Sequence, residues 1–486
     1  MAGQAEPQYF TKARRAGRIV VYEPPKLDLD AYIANYRGRT RFERLLLIGT
    51  SSSHLYLEAL KAAIAEAKQG NDVQRYENAV SYLRDISPND SDSTPDLDWV
   101  DRMKKQVKGA TDKMELELKG YKNNLIKESI RMGYDDLGHH YHRIGDLQKS
   151  NKAYSQMRDF CTTNSHIVIM NMHLINVCID QHSWFAAQNH VQRIRGQSGS
   201  QKYPEAEKNS AKLSAASGLT FMAQTKYKEA AEEFLNTNPR MSQAKLDDPA
   251  DEESYNEILT PNDIAVYGGL CALASMSREE LQKQVLDNSG FRNYLELEPH
   301  IRRAISYFVS SKYSACLSIL DSYKADYLLD IYLQRHIPQL YYEIRSKAIQ
   351  QYFIPFSCVT FSALATAFNT DEPTIELELI QMIKRGNLDA RLDLVNRVLL
   401  ARKVDNRSQV HTEALAIAEG YERTAHLRLL RMGILNAGLE IKAAKGLGNA
   451  GSGSGQDGGR WNGGVGDLMS GEGQGSGDLR SGAAFK

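Results

Sequence analysis

The chain has 486 residues, 42% of them hydrophobic, which is too long for one ordinary domain and predicts about two to four structural units. Sixty basic residues balance sixty acidic ones, so the excess of positive charge that marks nucleic-acid binders is absent. The five cysteines (Cys161, Cys178, Cys271, Cys316 and Cys358) are odd in number, widely spaced and free of any C-x-x-C pair, which argues against a disulfide framework or a structural zinc site and fits a reducing compartment.

The N-terminal stretch MAGQAEPQYFTKARRAG lacks the apolar core of a signal peptide, and no apolar run approaches the ~20 residues that span a bilayer. Residues 1–26 are polar and carry Pro7, Pro24 and Pro25, so a flexible arm is expected. Its short basic cluster, Lys12, Arg14, Arg15 and Arg18, reads first as a solvated arm and second as a nuclear address or a contact for an acidic partner. A helical region is expected over 27–125. It includes AYIANYRGRTRFERLLLIG with Tyr32, Tyr36, Phe42, Leu45 and Leu46, and LYLEALKAAIAEAKQG, which stops at Gly70. Residues 87–98 have loop composition, and a long charged helix follows from about Trp99 to Tyr121.

Residues 126–350 read as helical repeats. In GYDDLGHHYHRIGDLQKSNKAYSQM, the spacing of Leu137, Gly138, Tyr141, Gly145, Ser150 and Tyr154 predicts a tetratricopeptide-like helical hairpin. Its small residues let two helices approach, and its aromatics fill the gap. The same slots recur at Leu174, Cys178, His182, Ala187 and Val191. They recur again at Gly218, Phe221, Thr225, Ala230 and Phe234, and at Ala304, Tyr307, Ser311, Cys316 and Leu320. A right-handed stack of helix pairs follows, with polar insertions near 196–210 and 237–262 as loops.

At Pro355 the pattern changes, and 351–407 reads as a winged helix. FSCVTFSALATAF is expected to be helical. PTIELELIQMIKRGNL is a second helix with Pro373 near its start and Gly386 at its end. Leu392 and Leu394 alternate with Arg391 and Asp393 as a strand, and Asn396–Arg397 turns into a return strand through Val398 and Leu400. The last helix, within 408–445, carries Val410, Ala414, Ile417, Tyr421, Ala425, Leu429, Met432, Leu435 and Leu439 at spacings of three and four, an apolar stripe too long for the winged helix to cover. Residues 446–486 hold fifteen of the 35 glycines and are expected to be disordered.

No Walker motif and no G-x-S-x-G elbow occurs. His140-Tyr141-His142 with Ser150 echoes a zinc-isopeptidase signature, but its aspartate position holds Ala153, and residues two apart on a helix point about 200° apart. His139 and His142 could share a face, yet two ligands do not make a site. Asp135-Asp136 and Asp247-Asp248 read as helix-start and loop residues. The reading from residues is no catalytic residue, no cofactor and no metal. DNA binding is disfavoured because Glu372, Glu376 and Glu378 crowd the would-be recognition helix, although Arg391, Arg397, Arg402, Lys403 and Arg407 could form a modest basic edge.

Helical repeats running into a winged helix resemble the PCI-domain family of the proteasome lid, the COP-nine signalosome and a translation initiation factor complex. The stretches YRGRTRFERLLLIG, LKGYKNNLIKESIRMGYDDLGHHYHRIGDLQKSNKAYSQMRDFCTT, AFNTDEPTIELELIQMIKRGNLDARLD and LLARKVDNRS are most similar to subunit one of the signalosome. The paralogous lid subunit is the alternative. The resemblance implies a non-catalytic scaffold in a complex that removes a ubiquitin-like modifier from cullins (deneddylation) and so regulates cullin–RING ligases. It further implies that the isopeptidase zinc lies in another subunit. The cysteine pattern and the lack of a signal-peptide core or an apolar span point to cytoplasm and nucleus for the chain. Its partners would be other PCI subunits and the isopeptidase subunit, with cullin–RING ligases reached through the complex, no membrane, and nucleic acid disfavoured. The residues expected to contact partners are Leu392, Leu394, Val398 and Leu400 on the hairpin and Tyr421, Leu429, Met432, Leu435 and Leu439 on the last helix.

Overall fold

The computed structural model describes residues 8–198, 209–238, 255–402 and 406–439. The chain divides into two compact units, one ending at Arg402 and one beginning at Lys403. The glycine-rich tail and most of the 237–262 insertion lie outside the described residues.

The N-terminal arm is not a free polar segment. Gln8–Arg15 forms helix α1, whose Phe10 is fully buried and meets the Tyr56 ring edge-on at 5.7 Å. Val21 then forms a parallel bridge to Ser52, and the Lys26 amide donates to Asp326 Oδ1 at 2.8 Å. The polar composition of 1–26 concealed this because one large apolar side chain, given a socket, outweighs the solvation of its neighbours. Helices α2 (Leu29–Ala34), α3 (Gly38–Ser51), α4 (Tyr56–Gln69) and α5 (Val73–Ile86) complete this region. Asp28 and Asp72 cap α2 and α5 by accepting from first-turn amides, which satisfies donors a helix leaves orphaned. The long helix α6 (Leu97–Asn123) buries little beyond Val100 and Leu118.

The repeats pack as the slots demand. Helices α7 (Lys127–Ile144) and α8 (Leu147–Met157) touch where Gly138 has no side chain: a Cβ there would lie 2.6 Å from the Tyr154 ring. Ser150 donates to the Gly138 carbonyl at 2.9 Å. Helices α9 (Asn164–Asp180) and α10 (Trp184–Ser198), then Ser210–Ala223 with Tyr227–Leu235, and Pro299–Val309 with Tyr313–Leu328, repeat the hairpin. The turn slots Gly145, His182, Thr225 and Ser311 all have positive φ, at 93°, 55°, 63° and 60°. One left-handed residue ends the first helix of each pair and reverses the chain. The spacing to the last repeat is longer because a largely buried helix, Pro261–Ser275, and a shorter one, Ser289–Leu297, intervene before that pair. The end of the 237–262 insertion is core rather than polar loop, since Tyr255, Ile258 and Leu259 are buried.

The buried Arg44 joins the N-terminal helices to this stack. Its guanidinium meets Asp330 Oδ2 at 2.5 Å and Asp263 Oδ2 at 3.1 Å, donates to the Tyr32 hydroxyl, and lies 4.1 Å from the centre of the Tyr36 ring. Tyr36 and Tyr267 donate in turn to the two carboxylates at 2.7 and 2.8 Å. Burial alone would lower the Arg44 pKa, but Asp263 and Asp330 outweigh it and hold the charge firmly in place.

The winged helix holds a three-stranded antiparallel sheet in the order β1 (Cys358–Thr360), β3 (Val398–Ala401), β2 (Ala390–Asp393). The expected continuous helix over 356–368 is therefore corrected. Val359 pairs with Leu399 in a strand, and Thr360 caps a shorter helix, Phe361–Phe368, by accepting from the Ala363 amide. The second helix, Glu372–Lys384, ends through Gly386 at φ +77° as its sequence predicts. Phe368 stacks on Tyr313 at 6.1 Å, and Arg345 meets both oxygens of Glu378 at 2.9 Å, so this module is fused to the last repeat helices.

Candidate interaction surfaces

The sheet's register sorts the hairpin residues. Leu392, Leu399 and Val359 form one row facing the core, with Leu399 fully buried. Arg391, Leu400 and Cys358 form the opposite, exposed row. Of the two strands of the hairpin, one is an edge and one is not. Val398 and Leu400 lie on the middle strand, whose backbone is already paired on both sides, so only β2 (with Leu392) and β1 are edges. Leu394 lies outside β2 in the turn, which Asp393 builds by accepting from the amides of Val395 at 3.0 Å and Asn396 at 3.2 Å. That turn points Val395 outward at 91% exposure, a residue sequence reasoning did not single out. Ile354, Phe356 and Leu377 are exposed on the same module and were also missed: the first two flank Pro355 in a turn, where no periodicity reveals them, and Leu377 stands alone on the polar face of its helix.

The 31-residue helix Asn406–Asn436 is closed by Gly438 at φ +65°, with the Leu439 amide donating back to the Ile434 carbonyl. The predicted stripe residues Tyr421, Leu429, Met432, Leu435 and Leu439 are 48–75% exposed. Leu427, Leu430 and Ile434, also exposed, fall on a second face about half a turn away. The end of the helix is thus apolar on two sides, a pattern that suits a buried helix rather than one lying on a surface.

The histidine pair of the zinc-like signature diverges. His140 Nε2 meets the Thr111 hydroxyl of α6 at 2.9 Å, and that hydroxyl is spent as a donor to the Val107 carbonyl. His142 Nε2 meets Asp180 Oδ2 of α9 at 2.6 Å. The two rings face different helices. Cys178 and Cys316 fill repeat slots, and burial pushes their thiols up to about 11 and about 12, which leaves them as small apolar fillers. On the winged helix, Glu372 pairs with Arg397 at 2.9 Å and Asp389 with Arg402 at 3.3 Å, so the supposed basic edge is partly neutralised within the chain. Among the described residues no helix is long and apolar enough to cross a membrane.

Helical repeats closed by a winged helix define the class of proteins built on the PCI domain, and that family matches residues 320–403, while the family described as 26S proteasome subunit RPN7 matches 96–284. The COP9 signalosome complex subunit 1 of Emericella nidulans is 54% identical over 87% of this chain and 85% of its own length. That of Neurospora crassa is 43% identical over 84% and 90%. The 26S proteasome non-ATPase regulatory subunit 6 of Oryza sativa is 26% identical over 40% of this chain and 48% of its own length. The chain belongs to the family of COP9 signalosome complex subunit 1.

Proposed function

We propose that this chain is a non-catalytic scaffold subunit of the signalosome, acting in cytoplasm and nucleus. Its last helix enters a bundle shared with other subunits, and its winged helix meets a neighbouring PCI subunit along a sheet edge. The complex so assembled takes a ubiquitin-like modifier off cullins and thereby tunes cullin–RING ligases, with the isopeptidase zinc held by another subunit. The observation that carries this reading is the helix Asn406–Asn436, apolar on two faces and exposed along both. Burying such faces is worth about 25 cal/mol per Å², enough to hold a subunit in place.

Leu429→Asp with Leu435→Asp tests it. The tagged double variant should keep the helicity of the wild type and fail to co-purify with the other subunits. Normal co-purification refutes the bundle role. The proteasome lid is the second reading, favoured by the match to the RPN7 family over 96–284. It predicts lid subunits and ATPases in the same purification.

A further inference from the structure

Helix α7 and helix α9, the first helices of neighbouring repeats, bring together three side chains that sequence spacing alone could not associate. Asp135 and His139 are one turn apart on α7, and His173 faces them from α9. Asp135 Oδ1 lies 3.8 Å from His139 Nε2 and 3.7 Å from His173 Nε2. One ligand atom from each of the three residues fits within 4.8 Å of the others. These separations are too long for hydrogen bonds. The carboxylate oxygen between the rings is nevertheless buried and has no hydrogen-bond partner, which is costly for so polar an atom. Arg131, one turn earlier on α7, is committed to Glu128 at 2.6 Å.

We propose that Asp135, His139 and His173 form a binding site for one divalent cation of the zinc class, tying the first repeat to the second. Tetrahedral zinc holds nitrogen and oxygen ligands at ~2.0–2.2 Å, which places them about 3.3–3.5 Å apart. The two carboxylate-to-imidazole separations need close by only a few tenths of an ångström to reach that geometry. Two imidazoles and one carboxylate suit zinc, cobalt or nickel better than magnesium or calcium. The rings are held in place: Tyr154, locked into the Gly138 slot, stacks on His173 at 5.2 Å and meets His139 edge-on at 5.8 Å. The His139 side chain is 51% exposed, which leaves room for water at the fourth position.

The test uses the full chain, stripped of metal by a chelator and titrated with Co²⁺ while visible absorption is read. Saturation at one Co²⁺ per chain is expected, with a tetrahedral spectrum, no thiolate charge-transfer band, and displacement by Zn²⁺. His139→Ala and Asp135→Asn should each weaken binding at least about tenfold with unchanged far-ultraviolet circular dichroism. His142→Ala, whose ring is paired with Asp180, should bind like the wild type. The proposal is overturned if the wild type develops no tetrahedral spectrum. It is equally overturned if the His139 and Asp135 variants bind as the wild type does, or if His142→Ala abolishes binding.

Discussion

Arg44 is a fully buried cation whose partners, Asp263 and Asp330, lie 219 and 286 positions along the chain. Removing it leaves two buried carboxylates without their counter-charge, and such a change costs about 3–5 kcal/mol. Arg44→Ala should therefore lower the thermal midpoint by several degrees or prevent folding. Arg44→Lys should rescue little, because an ammonium cannot reach both carboxylates with the planar fork. The stretch containing Arg44 stood out in the sequence as arginine-rich, but its burial could not be read there, since ion pairs across hundreds of residues leave no local pattern. Among the four histidines whose pKa is lowered, His140, His173, His190 and His336, the last two give a testable pH signature. Burial first, then Arg193 and Arg335 nearby, lowers the pKa of His190 and His336 below the ordinary 6.5. As pH falls through 6.5, the unfolded chain takes up these protons before the folded chain does. Stability must therefore drop on acidification below that point. Melting curves from pH 7 to 5 should show this fall, and the double variant His190→Gln, His336→Gln should show a smaller one.

At the scale of elements, the repeat slots were legible because they follow from steric need. Gly218 faces the Phe234 ring, where a Cβ would lie 2.8 Å from its carbons. Gly218→Ala should cost about 1–3 kcal/mol, and the cost should shrink in a Phe234→Leu background, a coupling that a double-mutant cycle in urea unfolding measures. At the turn slot, Thr225 holds φ +63°, a conformation costing a β-branched residue about 1–2 kcal/mol. Thr225→Gly should raise stability by about 0.5–1 kcal/mol after glycine's own entropy loss. The first strand of the winged helix was not legible. Three residues, Cys358–Thr360, run straight into a helix, and only pairing with Val398–Leu400, some 40 residues later, makes them a strand. Such long-range pairing has no signal in a window of local sequence. The arm failed for the same reason: the socket that buries Phe10 is built by residues far beyond it.

For the whole molecule, the match to relatives over most of their length fixes the family, and the architecture explains why such a chain suits assembly. A stack of helix pairs offers long solvent-facing surfaces. Its unsatisfied apolar surface is concentrated on the C-terminal helix and on the tips of the winged helix. That concentration was legible as a stripe at spacings of three and four. The second apolar face, Leu427, Leu430 and Ile434, was less legible because its residues interleave in sequence with Leu429, Met432 and Leu435, so that two faces read as one apolar run. The central claim is that this chain works as a structural member of the signalosome. The most direct measurement is purification of the tagged full-length chain from its own cells, with the partners identified by mass spectrometry. The account predicts other PCI subunits, a zinc-isopeptidase subunit and cullins. Recovery of proteasome ATPases and lid subunits in their place would contradict it.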